Sequence, residues 1–201
     1  MGRIQAFETV SVVQAARDVF WDRGFEATSV ADLEEATGLG RSSLYHCFGS
    51  KRGLFDAAVR DYLDIVVRPR LAVLRSGAAD SSALVAYFDS LRTAVQDLAG
   101  GSSRGCLLVN CAAGLAAHDT SACAVVDGYR AELTAALRGA LAAASAGPDA
   151  AMLDSRARML AALSMSAMLL ARVNRAEALA MLVTACDLVN AWAARSAAAL
   201  G

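Results

Sequence analysis

Apolar positions recur with helical spacing along the chain. Between Thr9 and Arg23, Val12, Ala16, Val19 and Phe20 fall at i, i+4, i+7 and i+8 with Val13 beside them, one amphipathic face, and Gly24 follows as a stop. Ser29 with Asp32 three residues on is a capping-box pattern, which predicts a second helix over about Val30 to Thr37. Gly38-Leu39-Gly40 interrupts the pattern. A third short helix is predicted from about Arg41 to Cys47, and Ser50 is placed to cap a longer one from Lys51 to the Pro69 region. Two short helices about a three-residue turn make a helix-turn-helix candidate.

Gly, Ser and Pro positions divide the rest into five further helices, roughly 81–99, 105–117, 120–146, 149–172 and 175–199. The last two carry Leu160, Leu163, Ala167 and Leu170, then Leu179, Leu182, Cys186, Val189 and Trp192, around more than one face. A lone surface helix does not tolerate that much apolar surface; a bundle shared between two subunits covers it, and so does a monomer interior.

Composition narrows the class. With 201 residues, 56% hydrophobic, 19% charged and two Pro, the chain has the material for a real core and is all-α in propensity, which excludes a disordered chain and disfavours sandwich or βαβ folds. The opening MGRIQAFETV has no apolar signal-peptide region. The apolar runs Gly105–Ala117 and Met159–Ala171 fall short of the roughly 20 residues of a membrane helix, so a cytoplasmic protein off the membrane is expected. Five cysteines, at 47, 106, 111, 123 and 186, lack the even, repeated spacing of a disulfide scaffold and are expected as free thiols.

The formal net charge of −1 gives no global attraction for nucleic acid. The charge is unevenly placed, however. Asp32, Glu34 and Glu35 make 29–37 acidic, whereas 41–60 carry Arg41, Lys51, Arg52 and Arg60 against Asp56, a net +3. Within Arg41–Phe48, Leu44 and Phe48 lie four apart and face a core with Phe20, Phe25, Val30, Leu33, Leu54 and Phe55. That leaves Arg41, Ser42, Ser43, Tyr45 and His46 outside, donors suited to phosphates and base edges. Ser50 and Lys51 add a hydroxyl, an amine and free backbone N–H groups at a helix N-terminus, which favours an anion such as phosphate.

The stretch VVQAARDVFWDRGFEATSVADLEEATGLGRSSLYHCFGSKRGLF closely resembles the N-terminal signature of TetR-family transcriptional repressors. The resemblance implies an N-terminal three-helix DNA-binding domain over 5–65 and a helical effector-binding and dimerisation domain over 66–201. It implies a homodimer, joined through the last two helices, that binds a palindromic operator in double-stranded DNA and is released by a small-molecule effector. Carried over by position, Thr28, Arg41, Ser43, Tyr45, His46 and Lys51 become DNA contacts, mostly to phosphates. Two features depart from the family pattern: Gly40 stands where a Ser or Thr usually caps the recognition helix, and the acids before the turn require Glu34 and Glu35 to face solvent or pair with Arg.

Farther along, GCLLVNCAAGLAAHD resembles a segment of a TetR subgroup in which some members respond to electrophiles or oxidants through cysteine. Cys106 is expected in a first helical turn beside Arg104, where the helix dipole and the positive charge favour a reactive thiolate; Asn110 shares its face. The alternative is a buried cysteine that only packs. Cys111, five residues on, is badly placed for an intrahelical disulfide with Cys106. Tyr62, Tyr87, Phe88, Tyr129, Met165, Met168 and Trp192 are candidates to line an apolar effector cavity, with Asn110 and His118 as polar groups.

Glycine-rich nucleotide loops, metal-helix motifs and nucleophile elbows are absent, and no cofactor is implied. His46 beside Cys47 lacks a second pair at metal spacing, so no metal is expected. An all-α thiol enzyme of the alkylhydroperoxidase kind would suit Cys106, Cys111 and His118, but its Cys-x-x-Cys pair is missing. A dimeric ligand-binding adaptor that has lost DNA affinity is the other alternative.

Overall fold

Residues 2–75, 80–97, 103–144 and 148–198 are described in a computed structural model of the chain. Among them there is no strand. The helices are α1 (Gly2–Arg23), α2 (Val30–Thr37), α3 (Arg41–Phe48), α4 (Lys51–Tyr62), α5 (Arg68–Leu74), α6 (Ser82–Gln96), α7 (Leu107–Ala113), α8 (Thr120–Ala144), α9 (Ala150–Leu170) and α10 (Arg175–Ala198). The outer ends of three predicted helices, at 98–99, 145–146 and 199, lie outside the described residues.

Helices α1 to α4 form the N-terminal unit. The predicted stripe of α1 turns inward, with Val12, Ala16 and Phe20 buried and Val13 and Val19 half-buried. Phe20, Phe25 and Phe55 form an aromatic knot in which Phe55 meets the other two edge-on. α2 begins as predicted: Ser29 accepts from the Asp32 backbone N–H while the Asp32 carboxylate accepts from the Ser29 N–H. Asp32 also pairs with Arg23, and these hydrogen bonds, Ser29 foremost, hold its carboxyl below the usual range.

Three expectations need correction. α1 starts at Gly2, seven residues ahead of Thr9. The helix from Lys51 does not end at Pro69; it continues into α5 through a wider π turn over Leu63–Val67. Pro69 has no N–H for the carbonyl four residues back and its ring crowds that carbonyl. In the turn ahead of it the Arg68 N–H bonds back five residues, to Leu63. The third is the 105–117 helix, which is two pieces: α7 stops at Gly114 and a 3-10 turn covers Leu115–Ala117.

The C-terminal helices pack with α9 between α8 and α10, and α6 against α5 and α10. One apolar cluster runs from Val12 through Tyr62 and Cys106 to Trp192, so the two units share a continuous core. Polar contacts fasten the joint. Arg172, just past α9, donates to the backbone oxygens of Trp21 and Asp22 at 3.1 and 2.7 Å, and Trp21 Nε1 donates to Gly105 O at 3.2 Å. Gly105 has a φ of +65°, and a Cβ there would lie 2.5 Å from the Met168 carbonyl oxygen, so only glycine brings this loop close enough to hold Trp21. On the other side Arg52 of α4 forks onto Asp119, which also accepts from the Ala122 N–H at the start of α8.

Candidate nucleic-acid interface

The recognition surface depends on how α3 is held. Leu44 is 2% exposed and Phe48 half-buried, and they turn one side of the helix into the common core. α4 crosses close behind: a Cβ on Gly53 would sit 2.0 Å from the Phe48 carbonyl oxygen, so this approach also requires glycine. At the other end Gly40 supplies no side-chain cap. Glu34 replaces it, its Oε1 accepting from the Arg41 backbone N–H at 2.6 Å. The acidic residue expected to face solvent or an arginine is thus a cap contributed by the first helix of the motif to the second, where a carboxylate also suits the positive end of the α3 dipole.

The outer face then presents Arg41, Ser42, Ser43 and His46, all exposed. Tyr45 is half-buried with the Arg41 guanidinium 5.2 Å above its ring. Ser50 caps α4, its Oγ accepting from the Gly53 N–H at 3.1 Å, which leaves the hydroxyl proton free to donate. Lys51 is half-buried with its amine 4.4 Å from the centre of the Phe25 ring, an attraction that fixes the head of an otherwise loose side chain. Arg52, counted above among the local positive charges, is engaged with Asp56 and Asp119, and the hydrogen bond to Asp119 is the main cause raising its pKa above the ordinary arginine value. Thr28 is 1% exposed and donates its hydroxyl to Gly24 O at 2.6 Å, so it offers no free donor where a phosphate contact was expected.

The C-terminal candidates do not gather in one place. Tyr62, Tyr87, Cys106, Tyr129 and Met168 converge, but the gap they leave is about 20 Å³, a filled core. Burial pushes the Tyr87 hydroxyl up to about 12 and raises those of Tyr62 and Tyr129. Phe88 is buried edge-on against Tyr87, Met165 is half-buried and His118 is exposed. Trp192 lies between α9 and α10 under Arg156. Asn110 and Cys111 border a gap of about 180 Å³ between α7 and the α1–α2 loop. There Asn110 Nδ2 donates to Arg104 O, and burial raises the Cys111 thiol above its ordinary value.

Cys106 is not in a first helical turn. It is the extended residue before α7, 3% exposed, and the Arg104 guanidinium lies over the Trp21 ring with Asp18 at 3.5 Å. A cleft of about 500 Å³ lies beside this cluster and is walled by Trp21, Arg70, Ser90, Thr93, Ser103 and Arg104. Met168, expected from the sequence to line an effector cavity, also borders this cleft, whereas of these six only Arg104 was singled out, and for a different role. They come from α1, α5, α6 and the loop before α7, and no periodicity links positions so far apart in the chain.

A helix-turn-helix whose second helix is clamped from behind, with donors on its free face and a fixed lysine at the next helix start, defines a protein of the DNA-reading helix-turn-helix class. Residues 12–58 match the model of the bacterial regulatory proteins of the tetR family. CifR, a TetR-family transcriptional regulator solved as a cysteine mutant complexed with a 26 bp double-strand operator DNA, is 30% identical over 88% of this chain and 93% of its own, with a TM-score of 0.73. The chain belongs to the TetR family.

Among curated relatives, the HTH-type transcriptional regulator YezE of Bacillus subtilis is 35% identical over 120 residues, and the HTH-type transcriptional repressor ComR of Escherichia coli 33% over 110. Those stretches take in 59% and 54% of this chain and 60% and 51% of the relatives, so the chain matches between half and three fifths of their length. Membership of a family of transcriptional regulators sets the thiol-enzyme alternative aside.

Proposed function

We propose that this protein is a transcriptional repressor that binds a palindromic operator as a homodimer and leaves it when a small molecule occupies the C-terminal domain. The observation that carries this is the α3 face: Arg41, Ser42, Ser43 and His46 exposed, with Tyr45, Ser50 and Lys51 held at its edge. Phosphates are met by Arg41, Lys51 and the hydroxyls, and base edges by the α3 side chains that enter the groove. Thr28 drops out of the contact set. The CifR complex with operator DNA supports the same use of the fold here.

The dimer forms through α9 and α10. Leu169, Val173 and Val183 stay exposed at 45, 83 and 42%, and α10, apolar and long enough by composition to cross a membrane, has only 33% of its apolar window buried within the chain. A second α9–α10 pair covers that surface, and the protein works in the cytoplasm without a membrane. Cys106, enclosed at 3% exposure, packs the core between the units.

Selection of the full chain on random-sequence duplexes tests the proposal. Enrichment of an inverted repeat, its half-sites spaced by about one helical turn or a multiple of it, is the expected result. Enrichment of no sequence, or of single half-sites alone, contradicts it.

A further inference from the structure

The cleft of about 500 Å³ between α1, α5 and α6 has two arginines, Arg70 and Arg104, in its lining. Asp97 shares that lining, and Asp18 stands just outside it. Arg104 is already drawn to Asp18 and the Trp21 ring. Arg70 is different: it is half-buried, and among the described residues no carboxylate lies within ion-pair distance of it. Its neighbours are the hydroxyls of Tyr62, Tyr87 and Tyr129, which burial keeps protonated, so none supplies a counter-charge. The Ser90 and Thr93 hydroxyls donate to the Tyr87 and Asp89 carbonyls, which leaves Ser103 as the hydroxyl able to donate into the cleft, while Trp21 and Met168 supply apolar walls.

From this arrangement we infer that the cleft binds a small monoanionic carboxylate with an apolar tail, its carboxylate on Arg70 and its tail against Trp21 and Met168. A planar guanidinium matches a carboxylate with two parallel hydrogen bonds, and one arginine without an ion-pair partner matches one negative charge. The carboxylate also competes with Asp18 for Arg104. It thereby acts on the joint where Trp21 Nε1 holds Gly105 O and Arg172 holds the end of α1. Ligand and operator then oppose each other, and the coupling is reciprocal. This last step rests on the operator reading; binding in the cleft does not.

The test is calorimetric titration of the full chain, without DNA, using 4-phenylbutyrate and its neutral isostere 4-phenylbutyramide. At least tenfold tighter binding of the carboxylate is expected, a preference that Arg70→Gln abolishes and Arg70→Lys largely keeps. Equal affinities, no measurable heat from either probe, or a preference that survives Arg70→Gln overturns the site. Tighter binding of phenyl phosphate than of phenylbutyrate overturns the monoanion assignment. Saturating phenylbutyrate is further expected to weaken binding to the selected duplex at least fivefold. Unchanged DNA affinity beside Arg70-dependent ligand binding overturns the coupling, whereas failure to bind any duplex sinks the operator reading and leaves the calorimetric result standing.

Discussion

At the scale of single residues, Glu34 is the least expected contributor. A glycine at the start of α3 costs only a few tenths of a kcal/mol relative to a hydroxyl cap, yet the helix still needs an acceptor for its first N–H groups. Glu34 supplies one from seven positions upstream. Glu34→Ala should therefore lower stability by about 1 kcal/mol, seen as a shift in urea midpoint. Adding Gly40→Ser should recover most of it, because Gly40 already has extended cap geometry and a Cβ there meets nothing closer than 3.9 Å. If the double variant is no more stable than Glu34→Ala, Glu34 is not acting as the cap. The contrast with Ser29 and Asp32 shows what a sequence reveals. That pair spans three residues of one turn and is a pattern in itself, whereas the bond from Glu34 exists only once the Gly38-Leu39-Gly40 turn has set two helices at an angle. Thr28 is the converse: its residue type suggested a DNA contact, and the local fold turned its hydroxyl inward to Gly24.

At the scale of elements, helix starts and stops were legible wherever a cap or glycine marked them, as at α2, α3 and α4. They were not where tertiary packing decides. Pro69 reads as a terminator, but a widened turn ahead of it lets the α4–α5 rod continue and bury Val67, Leu71 and Leu74. α7 ends early because its chain must bend at Gly114 to reach α8. A tight approach of α4 to α3 was invisible too, since nothing in KRGLF indicates that Gly53 abuts the Phe48 carbonyl. Gly53→Ala should destabilise the protein by about 1–3 kcal/mol through overpacking and displace α3, so operator affinity falls with thermal stability. An alanine variant with unchanged melting temperature and DNA affinity would mean that α4 is free to back away.

At the scale of the whole molecule, the α3 signature and the charge-poor C-terminal helices were plain in the sequence, and with them the two-part architecture. What joins the parts was not, because the contacts link positions far apart in the chain: Arg52 with Asp119, Trp21 with Gly105, Arg172 with the end of α1. The first of these has a pH signature. Hydrogen bonds from Arg52 and from the Ala122 N–H hold the Asp119 carboxyl below the ordinary range. A carboxyl whose pKa is depressed by folding stabilises the folded state above its unfolded value of about 4, and the benefit disappears as pH falls through the folded value. Asp119→Asn should accordingly be less stable than the parent at pH 7, and the gap should close as pH is lowered from about 5 toward 3. A gap independent of pH would assign the loss to packing at the start of α8.

On the proposed function, a near-neutral protein reads DNA through a few fixed groups on α3 and the start of α4. Fluorescence anisotropy on the selected inverted repeat, over a range of salt concentrations, tests it most directly. Lys51→Ala should weaken binding about tenfold and reduce the slope of log K against log salt by about one per protomer, and Tyr45→Ala should weaken binding more than a few-fold. Affinity and slope unchanged in both variants would contradict the assignment of α3 as the recognition helix.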